Sequence, residues 1–77
     1  MEEIDVTARF ERTGEIIPLR FTWRQLDYPI TSVGRSWKDE AGHHILVMVP
    51  GDRVVELIFK SGEGRWWLHQ PGGASFA

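Results

Sequence analysis

Three histidines and a scatter of carboxylates are the residues of this sequence that could bind a metal ion or move a proton. His43 and His44 are adjacent, His69 stands near the end, and Glu56 interrupts the apolar run "VVELIF". A zinc site needs three or four nitrogen, oxygen or sulfur ligands aimed at one point. Neighbouring residues of a strand point to opposite faces, so His43 and His44 do not share an ion. A site would need His69 and Glu56 to converge across strands. The chain has no cysteine, which excludes disulfides and thiolate ligands or nucleophiles and fits a reducing compartment. No metal and no cofactor is expected, and the histidines read as loop or strand-end groups that hydrogen-bond or face water.

Nucleophilic catalysis finds no support. Ser32, Ser36, Ser61 and Ser75 are the hydroxyl candidates, and none sits in a nucleophile elbow or beside a glycine-rich oxyanion loop. Asp39 and Glu40 are adjacent acids in a polar stretch, where carboxylates are ordinarily solvated. No glycine loop suited to cradling phosphate is present. The expectation is a protein that is not an enzyme.

Arginine and tryptophan carry the stronger signal. In "PLRFTWRQLDYPITSVGRSW", residues 18 to 37, Arg20, Arg24 and Arg35 alternate with Phe21, Trp23 and Trp37; "RWWLH" then adds Arg65, Trp67 and His69. Alternation on a strand sends Leu19, Phe21 and Trp23 inward and Arg20 and Arg24 outward. Trp66 shares its parity with Leu68 and reads as core, whereas Trp67 shares the parity of Arg65 and His69 and reads as surface. Exposed aromatics beside arginines suit base stacking on single-stranded nucleic acid. They suit the hot spots of protein interfaces equally well. The candidate binding residues are therefore Arg20, Arg24, Arg35, Trp37, Arg65, Trp67 and His69.

The elements that must position these residues are strands. "EIDVTARFE" alternates Ile4, Val6, Ala8 and Phe10 with polar residues, the pattern of a half-buried strand. "RTGE" turns the chain, and a second strand runs from about Ile16 to Arg24. "QLDYP" bends it, and Tyr28, Ile30 and Val33 begin a third strand whose proline confines it to an edge or a bulge. "KDEAGHH" reads as a polar loop. "HILVMV" is apolar on both faces and reads as the central strand, or as one covered on both sides. "PGD" reverses the chain into "RVVELIFK", "SGEG" turns again, and "RWWLHQ" is the last strand. No window has a helical period and no repeat is present. These features predict an all-β fold: a small antiparallel β-barrel or strongly bent sheet of five to six strands over residues 1–70, with residues 71–77 a flexible tail unless Phe76 docks.

Composition agrees with one small globular domain: 77 residues, 42% of them hydrophobic, with four tryptophans. The net charge is −2, but residues 9–38 carry six basic side chains against three acids, so a basic face can form on an acidic whole. "MEEIDV" does not resemble a signal peptide, and "ILVMV" is too short for a membrane helix, which needs about 20 residues. A cytoplasmic protein without a membrane partner is expected. It would be a monomer or an edge-strand homodimer.

The stretch "PLRFTWRQLDYPITSVGRSW", followed by "HHILVMVPGDRVVELIF" and "GRWWLH", resembles a small bacterial domain of unknown function. That domain occurs alone and at the C-terminal end of ImuB-type, polymerase-like proteins of mutagenic DNA repair. The resemblance runs from about Pro18 to His69 and rests on Pro18, Phe21, Trp23, Arg24, Val33, Trp37, Glu56, Trp66, Leu68 and His69. It departs at "RQLDYPI", where an arginine-rich turn and a strand without proline stand in the family pattern. The family has no assigned catalytic residues, and ImuB-type proteins look like non-catalytic hubs that hold partners at damaged DNA. The resemblance implies an interaction module linked to repair or mutagenesis. Its partner would be single-stranded or duplex DNA, or a repair or polymerase-associated protein.

Overall fold

The structure, a computed structural model, describes residues 2–70. Over these residues the protein is all-β: 72% strand, no helix, and one antiparallel sheet curled into a half-barrel. Its strands are β1 (Glu2–Phe10), β2 (Ile16–Trp23), β3 (Leu26–Pro29), β4 (Ser32–Asp39), β5 (Gly42–Val49), β6 (Arg53–Lys60) and β7 (Arg65–His69). They lie side by side in the order β3-β2-β1-β7-β6-β5-β4. Seven strands stand where five to six were expected because the proline-bearing segment divides into β3 and β4. No helix among the described residues is long and apolar enough to cross a membrane. The expected tail, 71–77, lies outside the described residues.

The two halves of that divided segment form the two edges of the sheet. Between them, the Ile30 N–H donates to the Leu19 carbonyl of β2 and the Thr31 N–H to the Met48 carbonyl of β5. Successive amides thus point to opposite sides, as in any strand, and tie the edges together at one end of the half-barrel. β3 is short and carries Pro29. β4 carries Arg35, Lys38 and a register irregularity between Val33 and Ser36, features that discourage addition of a further strand.

The concave face holds the core. Ile4, Phe21, Trp23, Ile45, Val47, Val49, Val55, Leu57, Trp66 and Leu68 form one buried cluster. Each fully buried aliphatic or aromatic side chain in it contributes about 1.5–3 kcal/mol relative to exposure. Trp66 is core and Trp67 only half-buried, as alternation requires.

Three expectations are corrected. Leu19 does not point inward with Phe21 and Trp23 but is 48% exposed. The β1–β2 register jumps, Thr7 facing Arg20 and Ala8 facing Pro18, so Leu19 is the extra residue of a bulge and Pro18 is buried in its place. β5 is covered on both faces, with Ile45, Val47 and Val49 buried on one and His44 buried and Leu46 and Met48 half-buried on the other, but it is not the central strand. It lies one place in from the edge, and β7 is the middle strand. "KDEAGHH" is not a loop either: only Glu40 and Ala41 turn between β4 and β5, so His43 and His44 belong to a strand.

Candidate functional site

The convex face of β4 to β7 carries a row of direct cross-strand partners. Trp37 pairs with His44, His44 with Ile58, and Ile58 with Trp67, which in turn faces Glu3 of β1. Period two puts Leu46 and Met48 of β5, Val54 and Glu56 of β6, and His69 of β7 on the same face. Ile58 is only 2% exposed although it lies outside the main core. The side chains of the row therefore form a second layer. The Trp37 and His44 rings stack nearly parallel, 5.0 Å apart with a 4° interplanar angle. The Arg35 guanidinium lies 5.6 Å from the Trp37 ring centre and the Lys60 ammonium 5.1 Å from that of Trp67. The Trp67 indole N–H is buried without an acceptor.

Within this layer His44 is held by carboxylates on both sides. Its Nδ1–H donates to Glu56 Oε2 at 2.5 Å and its Nε2–H to Asp39 Oδ1 at 2.7 Å. Ionised carboxylates only accept, so an imidazole that satisfies both carries a proton on each nitrogen, the imidazolium form. The second Glu56 oxygen lies 3.3 Å from His69 Nδ1. Burial pushes the His44 pKa down, but the hydrogen bonds to Glu56 and Asp39 and their charges outweigh it, and the net shift is upward. The Asp39 carboxyl is held below its ordinary range, first by the His44 hydrogen bond and further by the amides of Ala41 and Gly42. His69 and Glu56 do converge across strands, but nitrogens and oxygens aim at one another rather than at a common point. Among the described residues no group of three or more such side chains is arranged for a metal ion.

The cluster makes stability depend on pH with a definite sign. Raising the pKa of His44 on folding adds stability that is fully present below the ordinary imidazole value of about 6.5 and disappears as pH rises through the folded value. Lowering that of Asp39 adds stability present above about pH 4 and lost as pH falls through its depressed folded value. His43, held low by burial and by the charges of Lys38 and His44, works against folding on acidification below about pH 6.5. Above about pH 5, where Asp39 is ionised whether folded or unfolded, subtracting the His44→Gln stability from that of the parent protein reads chiefly the first effect. Urea titrations should give a difference that is largest near pH 5 to 6 and shrinks steadily in alkali. A difference that grows with pH would contradict the charged arrangement.

The sequence-derived candidates divide into two groups. Arg35 and Trp37 on β4, with Arg65, Trp67 and His69 on β7, border the convex row. Arg20 and Arg24 belong to β2 and the turn after it, on the other half of the sheet. Arg20 pairs with Asp27 at 3.3 Å, Arg24 with Glu2 at 3.1 Å, and Arg65 with Glu3 at 3.6 Å. Arg24 also lies 4.7 Å from the Trp23 ring centre, whose indole N–H donates to Glu2. The hydrogen bond from Trp23, then that from Arg24, holds the Glu2 carboxyl below its usual range. Arg24 and His69 meet only at the rim of a depression of about 230 Å³ lined also by Glu2 and Trp23.

Lys60 and the His44–Glu56–Asp39 cluster were absent from the candidate list. The signal for the cluster was a lone glutamate inside the apolar run "VVELIF", which demands a partner once it is buried. No protein-family model, curated protein or solved structure matches the chain.

Proposed function

We propose that the protein is a non-enzymatic interaction module whose convex β4–β7 face docks a partner protein through an apolar segment flanked by carboxylates. The observation that carries this reading is the row Trp37, His44, Ile58 and Trp67 with an unpaired cation over each tryptophan. Arg35 and Lys60 have no carboxylate partner among the described residues, whereas Asp39, Glu56 and Glu3 are engaged by His44, His69 and Arg65. The uncompensated charge of the face is therefore positive, and its middle is aromatic and aliphatic. Tryptophan and arginine are among the residues most enriched in interface hot spots.

A nucleic-acid partner is less well supported. Arg20, Arg24 and Arg65 each carry a carboxylate, so phosphate contacts by these three would have to displace internal pairs, which leaves Arg35 and Lys60 to meet phosphate on the convex face. The resemblance of Pro18–His69 to a module of ImuB-type hubs points toward protein assembly in DNA repair or mutagenesis.

Selection from a displayed random-peptide library, with counter-selection on Trp67→Ala, tests the reading. Enriched peptides should combine aromatic or aliphatic residues with Asp or Glu. They should lose at least roughly tenfold in affinity on Trp67→Ala, a hot-spot-sized effect. Failure to enrich such peptides, together with oligonucleotide binding that collapses when salt is raised about fourfold, would put nucleic acid in the partner's place.

A further inference from the structure

The half-barrel is tied shut at the Ile30–Thr31 end and open at the other. β1 pairs with β7 only over Glu2–Ile4, so its later residues diverge from β7, and β4 has no strand on its outer side. At this open end the β1–β2 hairpin, the β4–β5 turn and the end of β6 surround a cleft of about 330 Å³. That volume is within the range of small-molecule sites. Phe10, Ile16 and Phe59 supply its apolar wall, and Lys38, Asp39 and His43 its polar edge.

Two features mark the cleft as more than a packing fault. Phe10 is 57% exposed, yet its ring is held edge-on to Phe59 at 5.4 Å. The pair presents aromatic surface to the opening instead of filling it. Lys38 has no carboxylate partner among the described residues. The nearest acid in sequence, Asp39, uses Oδ1 to accept from His44 and from the Ala41 and Gly42 amides. His43, kept low in pKa by burial and neighbouring charge, is a neutral imidazole at pH 7 and adds a hydrogen-bonding group without a second charge. The Asp39 carboxylate at the same edge is already bound to His44, which leaves the Lys38 ammonium, beside an aromatic and aliphatic wall, to meet a single anionic group on an apolar body.

We propose that this cleft binds a small monoanion with an aromatic or aliphatic body, its anionic group on Lys38 and its body between Phe10, Ile16 and Phe59. The site shares Asp39 with the His44 cluster but none of the tryptophans of the convex row, and it does not depend on the docking reading.

Anilinonaphthalene sulfonate and its uncharged analogue phenylnaphthylamine are suitable probes, with affinity read by fluorescence and location by amide shifts in isotope-labelled protein. The sulfonate should shift the amides of Gly14, Lys38, Gly42, His43 and Phe59. Lys38→Gln should weaken the sulfonate roughly tenfold, the worth of one hydrogen bond to a charged group, and leave the uncharged probe within about twofold. Phe10→Ala, at an exposed position that the fold tolerates, should weaken both probes, and Trp67→Ala neither. Absence of binding, amide shifts confined to the Trp37–Trp67 face, or a Lys38→Gln variant with undiminished sulfonate affinity would overturn the proposal.

Discussion

Glu56→Ala is expected to lower the stability of the domain by about 3 kcal/mol, because it leaves a buried imidazolium with one of its two carboxylates gone. The side chains of His44 and Glu56 are almost wholly covered, and their 2.5 Å hydrogen bond replaces water that neither group can recover in the folded state. For a domain of this size the total stability is on the order of 4–12 kcal/mol, so the loss is a large share of it. In thermal unfolding it corresponds to about 15 °C. Glu56→Gln keeps the shape and an acceptor but removes the charge, and should fall between the two. The informative comparison is the double variant His44→Leu/Glu56→Leu, which removes both charges together. Replacing a buried ion pair by apolar side chains of similar volume is often neutral. The double variant should therefore be markedly more stable than Glu56→Ala alone. If it is equally unstable, the pair matters through packing and not through its charges.

Gly42→Ala should be as damaging, for a backbone reason. Gly42 has φ of +142°, a conformation that residues with a Cβ rarely adopt. A Cβ built there would lie 2.5 Å from the Phe59 carbonyl oxygen and 3.2 Å from its carbon. Those are backbone atoms of the neighbouring strand, so no rotamer change relieves the clash. Either β5 and β6 separate locally or Gly42 moves to another φ and takes Asp39 and His44 with it. The expected cost is about 3 kcal/mol or more, combining an unfavourable φ with a disturbed ladder. Gly14→Ala is the control: φ is +96° but nothing lies within 4 Å of the added carbon, and the cost should stay near about 1 kcal/mol. Urea unfolding of the two variants side by side separates conformational strain from collision. Equal losses would show that collision with Phe59 contributes nothing.

Much of the fold was legible because each strand wrote its two faces in alternation. Ile4, Val6 and Ala8 on β1, Val55, Leu57 and Phe59 on β6, and the opposed Trp66 and Trp67 on β7 all follow that rule. What was not legible lies in departures from alternation and in pairing between distant strands. The bulge that turns Leu19 outward needs the β1 register, which local pattern does not supply. The reversal at Arg24 and Gln25 has positive φ at both residues without a glycine to announce it. The three-residue connection Pro50–Asp52 fixes Val49 opposite Arg53, and that register brings His44 within reach of Glu56. Arg24 and Arg65 looked like free cations in the sequence because the acids that pair with them, Glu2 and Glu3, come from the far end of the chain.

The pairing of β1 with β7 also governs how the molecule assembles. Every other neighbour in the sheet is a hairpin partner that closes a loop of a few residues, and such contacts zip up early. Glu2 opposite Leu68 and Ile4 opposite Trp66 are joined by only three residue pairs, and they must enclose almost the whole described chain. Loop-closure entropy rises with the logarithm of length, so this junction is the slow, late event in folding. Two preformed meanders, β1–β3 and β4–β7, meet there, and the concave core is completed only when they do.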